Sequence, residues 1–406
     1  NAPSATGEHS SNSQNAEWLS HLLANYSGEG WLRGVNYHES IAGDLDRWQL
    51  DMLINDRPAR IQHRSGKLWV LNSLAVEKLD LAAHKDLPGI ELNATGVPTG
   101  RLFRLDAWLR QQLGQQDPID VSVLSRRMAS FGITGFTDTS ATNTAATVMQ
   151  FQKMHERGEI LQNASLMGDD SLAYGHLKIL LDEDSLPPLK ELEARIRQAR
   201  EKKRGIAFHC VTHIELLFAI AALNSCADLD PQIQFADRIE HGAVIFDEVL
   251  PMLRALNLSV ITQPGFFDER GVQYQQNLTE HELAHLYRYQ TLLDAGIRVG
   301  LSSDAPYGPL NPWRVMQAAI ERKTRAGDVI GRRECVSPKH ALAGYLSNAN
   351  TPGGVVRKEA VGERADLCLL SGSWERFAGD LTDVLVKHTI VAGKLVYTAI
   401  DSEDVG

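Results

Sequence analysis

The sequence predicts an α/β protein built on parallel strands, and three observations carry that expectation. From about residue 120 onward, apolar strand-like segments alternate with helical stretches of roughly 10–16 residues, the pattern of strand–helix–strand units. Lys178, His209, His241 and Asp304 follow one another at intervals of 31, 32 and 63 residues. One strand plus its helix takes about 30 residues, so the steps correspond to one unit, one unit and two. Each of the four closes a short apolar run: His176–Leu181, Gly205–His209, Arg238–His241 and Arg298–Asp304. Parallel strands joined by helices bring their C-terminal ends to one face, and in a closed (β/α)8 barrel those ends converge. A lysine, two histidines and an aspartate meeting there predict a metal site and, with it, hydrolytic chemistry.

The elements follow in order. Ala16–Tyr26 has helical apolar spacing (Trp18, Leu19, Leu22, Leu23), and Trp31–Tyr37 is strand-like. Arg60–Val70 mixes polar and apolar residues, Leu74–Leu81 is helical, and Pro88–Gly100 is loop-like from Gly89, Gly96, Pro98 and Gly100. Residues 27–104 are therefore expected to be an insertion outside the regular barrel. Helices are then expected at 120–131, 143–157, 188–203, 213–225, 247–257 and 280–295. Seven strands are expected at 132–138, 160–167, 176–181, 205–210, 236–244, 258–263 and 297–303, one short of eight. In the tail, Asp366–Leu370 and two segments flanking Ala392-Gly393-Lys394 predict a small β module with a hairpin. The expected organisation is a helical N-terminal region (1–26), the insertion (27–104), the barrel (105–354) and the C-terminal β part (355–406).

Composition narrows the function classes. The 406 residues are 43% hydrophobic and 23% charged, an ordinary globular balance with material for a large core. The net charge of −10, with no basic stripe, argues against nucleic acid and anionic membrane as partners. No apolar run approaches the roughly 18 residues that span a bilayer. Asn1–Gln14 is polar, unlike a secretory signal. Cys210, Cys226, Cys335 and Cys368 form no Cys-x-x-Cys pair, so reduced thiols and a cytoplasmic setting are expected. Cys210 directly follows His209 and is expected on the opposite, packed face of its strand.

Several segments together resemble the metal-dependent amidohydrolase superfamily: "DRIEHGAVI" (237–245), "VITQPGFF" (260–267), "LLDAGIRVGLSSDAP" (292–306) and "ADLCLL…HTIVAGKLVY" (365–397). "GWLRGVNYHES" (30–40) and "RSGKLWVLNSLAV" (64–76) resemble the insertion of its branch containing N-substituted formamide deformylases. The resemblance spans roughly residues 30–400. It implies a distorted (β/α)8 barrel, a small β-sandwich built from both chain ends, and one or two divalent metals that activate water. By position, His209 and His241 match histidine ligands after strands five and six. Asp304 matches the aspartate after strand eight, and Lys178 the strand-four lysine that many relatives carboxylate to bridge two metals. The sequence departs from the pattern in one respect. The first barrel strand should end in His-x-His, and none occurs upstream; His9, His21, His38 and His63 are isolated in the sequence. The expectation is that the chain is a piece of a longer protein, with the first strand lying before Asn1.

Metal-assisted amide hydrolysis needs a Lewis acid, an activated water and a carboxylate to shuttle a proton to the leaving amine. Imidazole nitrogen with carboxylate oxygen suits zinc, and iron and manganese also fit. The expected ligands are Lys178, His209, His241 and Asp304, with Asp304 also the catalytic base. A carbamate on Lys178 requires a neutral amine, hence a desolvated site. Carboxylated Lys178 with the two histidines makes three ligands and an open fourth position, so one ion can bind without His-x-His. Glu240 is expected on the opposite strand face from His241, paired with Arg238 or a helix. His213 and His176 are candidate pocket-lining residues, and the resemblance implies Tyr37, His38, Lys67, Trp69, Gln263, Phe266 and Arg288 as substrate contacts by family position. Relatives often carry histidine where Lys67 stands. The leading function is hydrolysis of a non-peptide amide or formamide. The alternatives are cyclic-amide opening or deamination, and a metal-poor relative that only binds. The partner is a small molecule, and a homodimer is the family expectation.

Overall fold

A computed structural model of the chain describes residues 30–114, 120–227 and 235–399, together with Glu17, Leu19, His21 and Leu23. The expected helix 16–26 lies largely outside these residues, although the four described positions within it are helical. The chain divides into two units, Asn1–Ile119 and Asp120–Gly406.

The N-terminal unit is a five-stranded sheet in the order β1-β2-β3-β5-β4. Its strands are β1 (Leu32–Tyr37), β2 (Ala59–His63), β3 (Leu68–Leu71), β4 (Ile90–Leu92) and β5 (Pro98–Phe103). β1 and β2 run parallel, with Tyr37 opposite His63, whereas the other pairings are antiparallel. Alternation sends Ile61 and Val70 to one core, with Leu32, Tyr37 and Leu50, and Trp69 and Leu71 to another, with Leu102 and Leu109. Asn72 is fully buried with its amide saturated. It donates to Ile54 O and Arg57 O and accepts from Ala59 N and Ala75 N, capping helix Ser73–Lys78. The Gly- and Pro-rich segment 88–100, expected to be loop, contributes two strands instead. Its glycines serve the turn and a close approach. Asn93 Oδ1 accepts from Thr95 N and Val97 N to make the β4–β5 turn. Gly100, at φ +83°, lies where a Cβ would sit 2.4 Å from Leu71 O.

The C-terminal unit carries the seven parallel strands counted in the sequence. They are β6 (Gly135–Asp138), β7 (Asn163–Leu166), β8 (His176–Leu180), β9 (Gly205–Cys210), β10 (Arg238–His241), β11 (Ser259–Thr262) and β12 (Arg298–Leu301). They form two sheets, β6-β7 and β12-β11-β10-β9-β8, each strand beside its sequence neighbour. No closed ring forms among the described residues. Burial explains the helices between them. Helix Leu189–Glu201 turns Leu192, Ile196 and Ala199 inward while its charges face water. Helix His213–Asn224 is capped by Thr212 and Glu215 bonding reciprocally. A three-stranded antiparallel sheet ends the unit: β13 (Leu367–Leu370), β14 (Val386–Val391) and β15 (Lys394–Thr398). Its expected hairpin turns at Ala392 and Gly393, both with positive φ.

One expected helix is broken. Residues 280–295 form two short helices, Glu280–Ala284 and Gln290–Asp294, and a helix at Phe266–Asn277 precedes them. Between the pair, Leu286 bridges Val244 and Tyr287 N donates to Ala243 O at 2.7 Å, with Tyr287 at φ +44°. Pairing with the chain beyond β10 thus overrides helical propensity.

The gap between the two parallel sheets is closed by one bridge and one side chain. Lys178 N donates to Gly168 O at 2.9 Å, and Gly168 N donates to His176 O at 3.2 Å. Arg204, with no exposed surface, donates to Asp169 O at 2.7 Å, His176 O at 2.9 Å and Gly168 O at 3.4 Å. Removing that guanidinium orphans buried carbonyls, at about 1–3 kcal/mol each. Arg204→Met is therefore expected to destabilise the unit by roughly 2–4 kcal/mol, measured by thermal or urea unfolding. An unfolding free energy equal to the parent's would mean that the junction does not depend on Arg204.

Candidate active site

The site is assembled on the C-terminal ends of β8–β12. Register sets which side chains share a face. Lys178 pairs with Ala207 and Ala207 with Arg238, while His209 pairs with Glu240. Lys178, His209, Arg238 and Glu240 therefore point to one side of the sheet. Cys210, on the other side, is buried in the core with Leu216 and Ile239, as its position after His209 predicts.

His241 pairs with Cys210 in register, so a regular strand would turn it toward the core. Its backbone does not continue the strand. His241 is at φ +74° and Gly242 at φ +49°. That left-handed turn, costly for a residue with a Cβ, re-aims the imidazole. The rings of His209 and His241 lie 4.6 Å apart, nearly perpendicular. Asp304, three residues beyond β12, is also left-handed at φ +49°, and its carbonyl accepts from Tyr307 N at 2.8 Å. Two of the four candidates thus sit in strained backbone.

A hydrogen-bond chain sets the proton on His241. Gln263 Nε2 donates to Ile261 O and to Ser302 Oγ, each at 2.9 Å. Its Oε1 is thereby left as an acceptor, 3.0 Å from His241 Nδ1. Nδ1 must carry the proton, and Nε2 keeps its lone pair, the arrangement a metal-binding imidazole requires. Burial pushes His241 down to about 4, so the ring is neutral near pH 7.

The charges around the pair are buried and mutually dependent. Burial pushes the Lys178 ammonium down, while Glu240 and Asp304 pull it up. Glu240 ion-pairs with Arg238 at 2.5 Å. Against the upward push of burial, Arg238 and Lys178 hold Glu240 down to about 2. Burial pushes Asp304 up to about 6, against Lys178 and Arg270. Glu240 has its expected partner. Strand alternation places it on the Lys178 and His209 side, and the turn at His241 frees His241 from that alternation. Arg270 is a charge that the sequence reading passed over. It lies over the Phe266 ring at 4.0 Å, donates to Tyr307 O, and acts electrostatically on Asp304 and His241.

The candidate substrate contacts are dispersed. His176 is buried, donates Nε2 to Ala236 O at 2.9 Å and is pushed by burial to about 4, so it ties β8 to the chain before β10. Gln263 orients His241. Arg288 is buried against Glu334, Asp247 and Ile245 O. His213 opens its helix, with its ring 4.5 Å from Phe246 and Nε2 3.5 Å from Glu248. Lys67 and Trp69 lie in the N-terminal unit, where Trp69 Nε1 donates to Asp106 at 2.7 Å.

A divalent ion suits the donors at His209 and His241, two imidazoles face to edge, of which His241 keeps its Nε2 lone pair open. The set is not closed as it stands. Among the described residues, the one trio of histidine, cysteine or carboxylate groups whose ligating atoms all fall within 4.8 Å of one another is His38, Glu39 and His63 in the N-terminal unit. His209, His241 and Asp304 do not form such a trio among the described residues. His38 and His63, isolated in sequence, are brought together by the β1–β2 pairing.

The model of the Amidohydrolase family matches residues 12–397. The chain is 25% identical over 432 residues to the N-substituted formamide deformylase of Arthrobacter pascens, covering 90% of this chain and 79% of that protein. It is 24% identical to the Bacillus subtilis protein YtcJ, described as an amidohydrolase, over 91% of this chain and 79% of that one. Two uncharacterized metal-dependent hydrolases share the fold. The structure from Pyrococcus horikoshii OT3 has a TM-score of 0.59 at 16% identity, covering 82% of this chain and 74% of that one. The structure from Pyrococcus furiosus has a TM-score of 0.57 at 18% identity, covering 81% and 75%. The chain belongs to the amidohydrolase family, hydrolases that act on carbon–nitrogen bonds.

Proposed function

We propose that the protein hydrolyses a small, non-peptide amide, with N-substituted formamides the first class to test, at a divalent-metal centre on the carboxyl ends of a (β/α) barrel. The observation that carries this reading is the His209–His241 pair, with the proton on His241 Nδ1 and its Nε2 lone pair left open. His209 and His241 would hold the ion through nitrogen, and Lys178, as its carbamate, would supply oxygen; zinc suits this set. When bound, the ion polarises the scissile carbonyl and lowers the pKa of water. The desolvation that disfavours the Lys178 ammonium also favours the neutral amine from which a carbamate forms.

Asp304 is the proton carrier in this reading. It accepts a proton from the attacking water and returns it to the leaving nitrogen. A carboxyl pushed up to about 6 exchanges protons near neutral pH more readily than one at its ordinary value. Gln263 holds His241 in the required tautomer, and Arg270 supplies positive charge beside Asp304.

Three outcomes are expected. Asp304→Asn lowers kcat by about 10²–10⁴ while the circular dichroism spectrum and melting temperature stay near the parent's. Near-normal turnover would remove Asp304 from the mechanism. Because the base must be ionised, kcat/KM in the parent rises with pH and levels off above about 6. A rate flat between pH 5 and 7 contradicts that role. Gln263→Leu, which frees the His241 tautomer, weakens metal affinity by about 10–100-fold, read by chelator competition. A panel of N-formyl, N-acyl and cyclic amides, assayed after metal removal and again with added zinc, tests the function itself. Turnover that ignores chelation, or is confined to cyclic amides, counts against it.

A further inference from the structure

The N-terminal unit contains a second convergence of donor groups. β1 and β2 are the parallel pair of their sheet, so their carboxyl ends lie side by side, where side chains from neighbouring strands can converge on a ligand. His63 ends β2 opposite Tyr37, and His38 directly follows β1. Two histidines 25 positions apart in sequence thereby stack with ring centroids 5.8 Å apart. Glu39 reaches between them, with a carboxylate oxygen 3.3 Å from His38 Nε2 and 3.3 Å from His63 Nε2.

Both rings are held in the same way. Each histidine is followed two residues later by a serine. His38 Nδ1 lies 2.9 Å from Ser40 Oγ and accepts from Ser40 N at 3.1 Å. His63 Nδ1 lies 2.8 Å from Ser65 Oγ and accepts from Ser65 N at 3.2 Å. These contacts fix the ring planes and leave both Nε2 atoms aimed at one carboxylate. Ligands about 2.05 Å from a tetrahedral zinc are about 3.3 Å from one another, the spacing that Glu39 keeps from both nitrogens.

We propose that His38, Glu39 and His63 form a transition-metal site of the zinc class, built entirely from the N-terminal unit and holding the ends of β1 and β2 together. Two imidazoles and one carboxylate suit zinc or cobalt rather than calcium or magnesium, which prefer all-oxygen shells. Half-exposed Glu39 gives an ion access, with 44% of its side-chain surface open. The protons balance without release. In the absence of an ion, each Nδ1 accepts a backbone N–H, so each Nε2 carries the proton and donates to Glu39. On binding, the proton moves from Nε2 to Nδ1, the backbone N–H of Ser40 and of Ser65 gives up Nδ1 as its acceptor, each serine Oγ accepts the Nδ1 proton, and each Nε2 turns its lone pair to the ion. The alternative is a purely hydrogen-bonded clasp, which needs no metal.

The test uses the full chain carrying His209→Ala and His241→Ala, which removes the histidine pair of the candidate active site. After chelator treatment and dialysis, cobalt(II) is titrated by calorimetry and visible absorption. One equivalent is expected to bind, with the absorption of nitrogen-ligated, low-coordinate cobalt. Adding His63→Gln should weaken binding at least 100-fold. Glu39→Gln, which keeps an acceptor for both Nε2 protons and so preserves the clasp, should weaken it at least tenfold with an unchanged melting temperature. Zinc should raise the melting temperature of the His209/His241 background and not that of the Glu39→Gln derivative. No binding in the background, or binding equally tight in both added variants, overturns the proposal in favour of the clasp.

Discussion

At His241 a chain with a Cβ is held in left-handed backbone, and the site depends on that turn. Left as regular strand, the residue would follow Cys210 into the core, and the sheet would present one imidazole instead of two. A conformation of this kind costs of order 1–3 kcal/mol and persists only where surrounding contacts over-determine it. Here they do. Gly242 N is bonded to Cys210 O, and His241 is anchored to Gln263, which is itself fixed from β11 and from Ser302. The glycine after His241 is required as well, because a Cβ there would press on Ile245 and Val260.

The same end of the sheet concentrates charge that a folding chain would otherwise avoid burying. Lys178, Glu240 and Asp304 lie within one another's fields, and each has its proton affinity moved by burial first and by its neighbours second. Buried ion pairs seldom add stability over apolar packing of equal volume. Their presence here is better explained by chemistry. In the proposed function, the penalty on Asp304 suits it to carry a proton, and the penalty on the Lys178 ammonium favours the neutral amine. Both penalties are ones that a divalent cation would relieve or use.

Much of this was legible from spacing. Intervals near 30 residues place His209 and His241 at strand ends, Lys178 within β8 and Asp304 three residues past β12, because the strand–helix unit has a nearly constant length. The seven parallel strands, most of the helices between them and the C-terminal hairpin follow from periodicity and turn chemistry. The misses share a cause. The segment 88–100 was taken for loop because its glycines and proline were weighed as breakers, when two of them served a hairpin turn and a close strand crossing. The expected helix 280–295 was divided by a backbone bond from Tyr287 to Ala243, more than 40 residues away in sequence. Alternation places Glu240 as the structure has it, while His241 leaves the alternation at a turn for which the His-Gly pair is the sequence's one hint. Gln263, Arg288, Trp69 and His176, the candidate substrate contacts, each bond a partner inside the protein.

By itself, then, the sequence determined the α/β class, the order of strands and helices, and the residue types available for chemistry, because period, propensity and unit length are local properties of the chain. Tertiary structure decided which way those residues face and what charge they carry. It turned His241 toward His209, paired buried Glu240 with Arg238, set a proton on one imidazole nitrogen through Gln263, and joined His38 to His63 across a parallel strand pair. Those outcomes depend on backbone strain, burial and contacts between segments distant in sequence, none of which a local pattern encodes.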